Sequence, residues 1–256
     1  MVGMVILCLI IPFIGTSLGA MMVFFMKKEM NEKLQKILLG FASGVMIAAA
    51  IWSLLEPAIG SYTDYRMWLA PSIGFIIGVI FLLLIDKLTP HMHMNNIEEG
   101  LKTDSVSKSF KMFLAVTIHN IPEGLAVGVI IGSFITGNIN QEAMLALSIG
   151  IAIQNFPEGA IISMPLKETG LSKIKSFLYG VASGVVEPIA GALAILLATL
   201  VTTILPYTLS FAAGAMLYVV FEELIPEANE GKHSNLATIG FSLGFIIMMI
   251  LDIALG

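Results

Sequence analysis

The sequence predicts an all-α, polytopic membrane protein with eight transmembrane helices and both termini extracytoplasmic. Three observations predict it: a composition too apolar to cover itself in water, eight apolar stretches long enough to cross a bilayer, and basic residues confined to alternate loops. Hydrophobic residues make up 57% of the 256 and charged residues only 12%, whereas a soluble domain carries about 25% charged residues. Polar surface is then too scarce to face water on all sides. The formal net charge of −5 matters less than where the charges stand.

A hydrocarbon core about 30 Å thick is crossed by about 20 apolar residues. Stretches of that length run over about 4–26, 36–58, 69–89, 111–135, 142–166, 174–200, 205–226 and 235–255. The first has no Lys or Arg ahead of it, which argues against a secretory signal peptide and for a first span with a translocated N-terminus. Spans one and two are divided by KKEMNEK, two and three by the Tyr62–Arg66 turn. The longest polar stretch, Pro90 to Lys108, follows span three. GNINQ, KETGLSK, a short break near Thr203–Pro206 and EANEGKH make the remaining divisions. The chain reads as one transmembrane domain over 1–256 with a cytoplasmic loop at about 90–110.

Basic residues orient the spans, because loops rich in Lys and Arg stay on the cytoplasmic side. Of the 13 basic residues, Lys27, Lys28, Lys33, Lys36, Lys87, Lys102, Lys108, Lys111, Lys167, Lys173, Lys175 and Lys232 fall on one side. Only Arg66 falls on the other. A single error in the span count would scramble that alternation. Cys8 is the only cysteine, so an intrachain disulfide and a thiolate zinc cluster are both excluded.

Ionisable groups inside a span cost about 2.5–3.5 kcal/mol each on insertion scales and face a pathway or a partner. The fourth span contains His119, Asn120, Ile121, Pro122, Glu123 and Gly124; the fifth contains Gln154, Asn155, Phe156, Pro157, Glu158 and Gly159. Both read polar-Asn-x-Pro-Glu-Gly. Each motif begins about 10 residues from the inner end of its span, roughly 15 Å deep at a 1.5 Å rise, so the two can face each other near the midplane. His119 and Glu123 are four residues apart and share a helical face, as do Gln154 and Glu158. Pro122 and Pro157 each leave an upstream carbonyl without its helical partner, which a membrane tolerates only where the freed group is buried or lines a cavity. An imidazole, carboxylates and amide oxygens make a mixed N/O site that suits zinc, iron or manganese better than copper(I). One isolated His or Asn would be read as a hydrogen bond between helices; two aligned motifs, each with a carboxylate, are read as a binding site.

Other buried acids extend this reading. Glu187 lies mid-span just before Pro188 and joins the site. Glu222 and Glu223, ahead of Pro226, stand near the inner end of span seven, where they either line an exit or face water. Met46 in span two offers a thioether, although one of 16 methionines is read first as packing.

The HNIPEG, QNFPEG, ASGVVEP and FEELIPE segments resemble the ZIP (Zrt/Irt-like) metal transporters, and within them the bacterial GufA-like branch. The resemblance covers nearly the whole chain, including the span count and the long loop after span three. It implies a metal site of His119, Asn120 and Glu123 with Gln154, Asn155 and Glu158, adding Glu187 and Met46. In the family this site can be two adjacent metal positions bridged by glutamates, and some members have an aspartate where this chain has Asn155. It also implies inward flux, a bundle of spans one, four, five and six moving against spans two, three, seven and eight, and loop histidines that hold metal transiently; here these are His91 and His93, a modest set that is read first as part of a solvated loop. A homodimer is in keeping with it. The small residues of span two (Gly40, Ala42, Ser43, Gly44, Ala48, Ala49 and Ala50) fit a sliding interface or ordinary static packing.

The sequence therefore predicts a non-enzymatic carrier of divalent metal ions in the cell membrane, with zinc foremost and iron, manganese, cobalt and cadmium compatible with the same donors. The ion is cargo; no prosthetic group and no nucleic-acid partner is expected. The chain contains no GxxxxGK[ST] nucleotide loop. An intramembrane metal-dependent hydrolase is the first alternative, weakened by the absence of HExxH. A cation/proton exporter is the second.

Overall fold

The computed structural model describes residues 1–26, 30–92, 98–100, 107–200 and 204–255. Among the described residues eight helices are long and apolar enough to cross a membrane: α1 (Val2–Phe25), α2 (Glu32–Gly60), α3 (Arg66–Leu88), α4 (Ser109–Ile135), α5 (Gln141–Glu168), α6 (Lys173–Leu197), α7 (Leu205–Ala228) and α8 (Leu236–Leu255). They match the expected spans, with ends shifted by a few residues. Polar caps extend several helices beyond their apolar runs by satisfying first-turn N–H groups. Asn31 Oδ1 accepts from Lys33 N at 2.9 Å, Asn140 Oδ1 from Ala143 N at 2.8 Å, and Ser107 and Ser172 Oγ from Phe110 N and Lys175 N at 3.3 Å. The division near Thr203–Pro206 falls partly on residues 201–203, outside the described residues; α7 starts with Pro206 in its first turn, where no N–H is needed.

The helices pair closely as α1 with α5, α2 with α8, α3 with α7 and α4 with α6. Each pair runs parallel, since positions in contact rise together along both chains: Gly15 meets Ala152 and Gly19 meets Phe156, Gly40 meets Ala237 and Gly44 meets Phe241. Gly74 and Gly78 abut Tyr207 and Phe211 in the same way, and Gly124 and Gly128 abut Glu187 and Gly191. In each case a Cβ on the glycine would overlap a partner carbonyl. Small residues four apart let backbones approach where no hydrophobic effect drives helices together in lipid. Gly40 and Gly44 therefore serve the close pairing of α2 with α8.

The pairs assemble into two bundles. Helices α1, α4, α5 and α6 contact one another; in the other bundle α2 contacts α3, α7 and α8, and α3 contacts α7; α2–α5, α4–α7 and α5–α8 contacts join the two. Helices α4 and α5 are the most enclosed, 72% buried against 22% for α8, so the polar motifs sit on the least lipid-exposed helices.

Two helices widen to a π-turn, α2 over Ala50–Leu55 and α7 over Val220–Leu224. Pro57 and Pro226 follow directly. A proline has no N–H for the carbonyl four residues back and its ring crowds that carbonyl, so the preceding turn opens. After α3, a two-residue antiparallel ladder sets β1 (His91–Met92) against β2 (Glu98–Glu99).

Candidate metal centre

The two motifs meet where α4 packs on α5. Glu123 lies beside His119, Gln154, Asn155 and Glu158, and Glu158 lies beside Glu123, Glu187 and Glu223. His119, Asn120, Glu123, Gln154, Asn155, Glu158 and Glu187 are all buried. The motif glycines bring neighbouring helices in: Gly124 sits against the Glu187 carbonyl and Gly159 against that of Thr16. Helix α6 is interrupted at Val185, just before Glu187 and Pro188, and the Ser183 carbonyl at this break accepts from Asn120 Nδ2 at 3.0 Å.

The hydrogen bonding is lopsided. Asn120 spends its N–H on Ser183, and Gln154 donates Nε2 to Asn155 Oδ1. Asn120 Oδ1, both oxygens of Glu123, Gln154 Oε1 and Glu158 Oε2 are buried without a well-directed hydrogen bond. The Gln154 and Asn155 amides and the Glu158 carboxyl stand close to Glu123, but the two amide nitrogens are aimed at Asn155 Oδ1 and at Glu187 Oε2 and Thr16 Oγ1. Unsatisfied buried acceptors cost about 1–3 kcal/mol each, and more when charged. Among the described residues no Lys or Arg pairs with Glu123, Glu158 or Glu187. Buried oxygens left without a well-directed donor are what a bound cation satisfies, although among the described residues the group of three His, Asp or Glu ligand atoms lying within 4.8 Å of one another is Asp86, His91 and Glu223, not the paired motifs. Asn155 donates Nδ2 to Glu187 Oε2 at 2.9 Å and to Thr16 Oγ1 at 3.1 Å. Thr16 Oγ1 donates to Glu187 Oε1 at 2.6 Å. Met46, the remaining expected ligand, is fully buried in the apolar core of α2.

A cavity leads from this centre past Met112, Leu39 and Leu224 to Glu227, at the end where most of the lysines lie. His119 Nε2 is set against the carboxylate of Glu223 across the two bundles. The adjacent Glu222 is exposed and Glu223 buried, so the pair divides: one carboxylate faces outward and the other faces the path. Beside it stands a cluster that the sequence only half disclosed. Asp86, His91 and Glu223 each bring a ligand atom within 4.8 Å of the others. His91 Nε2 lies 2.9 Å from Asp86 Oδ1, its Nδ1 lies 2.8 Å from the Thr89 carbonyl, and Tyr218 donates to Asp86 Oδ2 at 3.0 Å. Burial opposes charge on His91, but Asp86 and the Thr89 carbonyl outweigh it and hold the imidazole above its ordinary range. Asp86, the sole acid of span three and five residues ahead of His91, was the signal available. His93 lies outside the described residues.

The sequence matches the family model described as ZIP Zinc transporter over residues 2–111 and 109–252. The chain belongs to the ZIP zinc transporter family. It is 36% identical to "Zinc transporter ZIP11" of Xenopus tropicalis, over 94% of this chain and 94% of that protein. It is 35% identical to "Zinc transporter ZIPB" of Bordetella bronchiseptica, over 95% of this chain and 79% of the relative. "Zinc transporter GufA" of Myxococcus xanthus is 32% identical, over 94% and 95%. This ZIP chain is thus a multi-pass membrane protein whose motif residues are buried where α4 packs on α5, with His119 and Glu158 lining the cavity.

Proposed function

We propose that this ZIP protein transports divalent metal ions, zinc foremost, through the pocket between α4 and α5. The observation that carries the reading is the set of buried oxygens on Asn120, Glu123, Gln154 and Glu158 that no well-directed hydrogen bond meets. With His119 they form a mixed N/O donor set, and two carboxylates there offset the charge of a dication. Neutral amide oxygens replace hydration without binding so tightly that release is lost. The names of the relatives favour zinc and favour transport over hydrolysis.

The lysine distribution supports a cytoplasmic position for the face on which this cavity opens. The direction of flux is then inward, with Glu223, Asp86 and His91 receiving the ion on its way out of the centre. On the opposite face, a pocket between the bundles carries Glu56 and Asp252, an acidic mouth suited to collecting cations. The division into two bundles supports rocking or sliding of α1, α4, α5 and α6 against the rest.

Uptake of radioactive zinc into proteoliposomes tests the reading. Saturable uptake is expected, falling about tenfold or more, the equivalent of 1.4 kcal/mol, in Glu123→Ala and in Glu158→Ala. Normal transport by both folded variants would make the motifs structural and end this proposal. Competing divalent metals rank the cargo in the same assay.

A further inference from the structure

Two members of the centre differ from the others. Asn120, Glu123, Gln154 and Glu158 turn open oxygens inward, whereas Asn155 and Glu187 have theirs occupied. Asn155 Oδ1 accepts from Gln154 Nε2, and its own amide nitrogen donates to Glu187 Oε2 at 2.9 Å and Thr16 Oγ1 at 3.1 Å. The second Glu187 oxygen accepts from the Thr16 hydroxyl at 2.6 Å. The orientation of Asn155 is dictated by these partners. Reversing its amide would set an oxygen against the Glu187 carboxylate and an NH2 group against that of Gln154, two repulsive contacts.

We propose that Thr16, Glu187 and Asn155 form a positioning relay and do not ligate metal, so that the centre takes one divalent ion at a time. The inference rests on the metal-binding reading of the centre given above. The relay runs from Thr16 to Glu187, from Glu187 to Asn155 and from Asn155 to the Nε2 of Gln154. Its product is the turn of Gln154 Oε1 away from Asn155 and into the centre, toward the ion. Outer partners of this kind hold ligands in orientation at metal sites. A second ion beside Glu187 would have to displace the Asn155 N–H. That group presents positive charge and has no lone pair to give. Asn155 is 0% and Glu187 1% exposed, so water is poorly placed to take over the broken bonds. Glu187 still contributes charge, since it lies beside Glu123 and attracts a dication without touching it.

Zinc bound at saturation to the detergent-solubilised full chain tests this. The count for each protein is taken relative to the same protein carrying Glu123→Ala and Glu158→Ala together, which cancels ions at Asp86, His91 and Glu223. The expected difference is one ion for the unsubstituted chain. Asn155→Asp is expected to raise it to two, because the donor becomes an acceptor and Glu187 Oε2 is released. Glu187→Gln keeps an acceptor for Asn155 and is expected to retain the ion with less than about tenfold loss of affinity, against about 10–100-fold for Glu187→Ala. Two ions in the unsubstituted chain, one ion in folded Asn155→Asp, or loss of the ion in Glu187→Gln each overturns the relay. If Asn155→Asp does not fold, the glutamine variant decides. Equal binding by the unsubstituted chain and its double-alanine counterpart would instead remove the central site, and this inference with it.

Discussion

Gly124→Ala is the perturbation that most directly joins packing to the site. Gly124 has no positive φ, so alanine fits its backbone and the better helix propensity favours the variant by about 1 kcal/mol. Sterics oppose it. The new Cβ would overlap the Glu187 carbonyl oxygen and lie 2.8 Å from Glu187 Cα and 2.9 Å from its carbonyl carbon. Carbon atoms rest at about 3.5–4.0 Å, so α4 and α6 must part by about 1 Å. The obstacle is backbone and cannot rotate aside, which places the cost near the upper end of the overpacking range, about 3 kcal/mol. The net is about 2 kcal/mol of destabilisation, a melting temperature lower by about 4–8 °C for a chain of this size. The same displacement stretches the 3.0 Å bond from Asn120 to Ser183 beyond useful length, so zinc uptake falls as well. The assay is thermal melting of detergent-purified protein alongside vesicle uptake. Gly60→Ala is the control, because a Cβ there meets nothing within 4 Å; it is expected to match or exceed the unsubstituted chain. A Gly124→Ala protein that melts no lower than Gly60→Ala and transports normally would refute the reasoning.

Three further outcomes follow from charge. In a Cys8→Ser background, an impermeant maleimide applied to intact cells is expected to label Ser61→Cys, in the loop bearing Arg66, and to reach Asn229→Cys only after permeabilisation; the reverse pattern would invert the topology. Asp86→Asn is expected to slow zinc turnover while leaving zinc binding at the central site within about threefold, less than the 1.4 kcal/mol that marks a tenfold change. The raised pKa of His91 also sets a sign. Its contacts with Asp86 and the Thr89 carbonyl stabilise the fold fully below the unfolded histidine value of about 6.5. That contribution is lost as pH rises through the elevated folded value. In chelator-treated protein, amide-exchange protection at Thr89–Met92, corrected for intrinsic rate, is therefore expected to fall with rising pH and to lose this dependence in Asp86→Asn. Protection that grows with pH would contradict the assignment.

Much of the centre was legible because its signals are local. His119 with Glu123 and Gln154 with Glu158 share faces by helical period alone, and their depth follows from counting residues to the span ends. Thr16 was not legible as a member of a polar cluster, because it lies in an apolar helix far along the chain from Asn155 and Glu187. Asp86 stands near His91 in sequence, but only the α3–α7 pairing brings it to Tyr218 and Glu223. The Glu222 and Glu223 pair shows the same limit. Adjacent residues on a helix point about 100° apart, and which of the two faces the path depends on how α7, widened ahead of Pro226, is rotated against α4. Gly40 and Gly44 announced a close approach without naming the partner.

The sequence by itself determined the environment, the number of spans, their alternation across the bilayer and the residues rich enough in charge to demand a function, because hydropathy and helical period act over a few residues at a time. Tertiary structure alone decided which spans lie side by side and which oxygens of the paired motifs are left without a well-directed donor. It also decided that Asn155 and Glu187 turn toward each other and Thr16. Those outcomes depend on backbones meeting at glycine contacts between helices remote in sequence, and on the saturation of each buried N–H by the nearest acceptor, neither of which any one segment can specify.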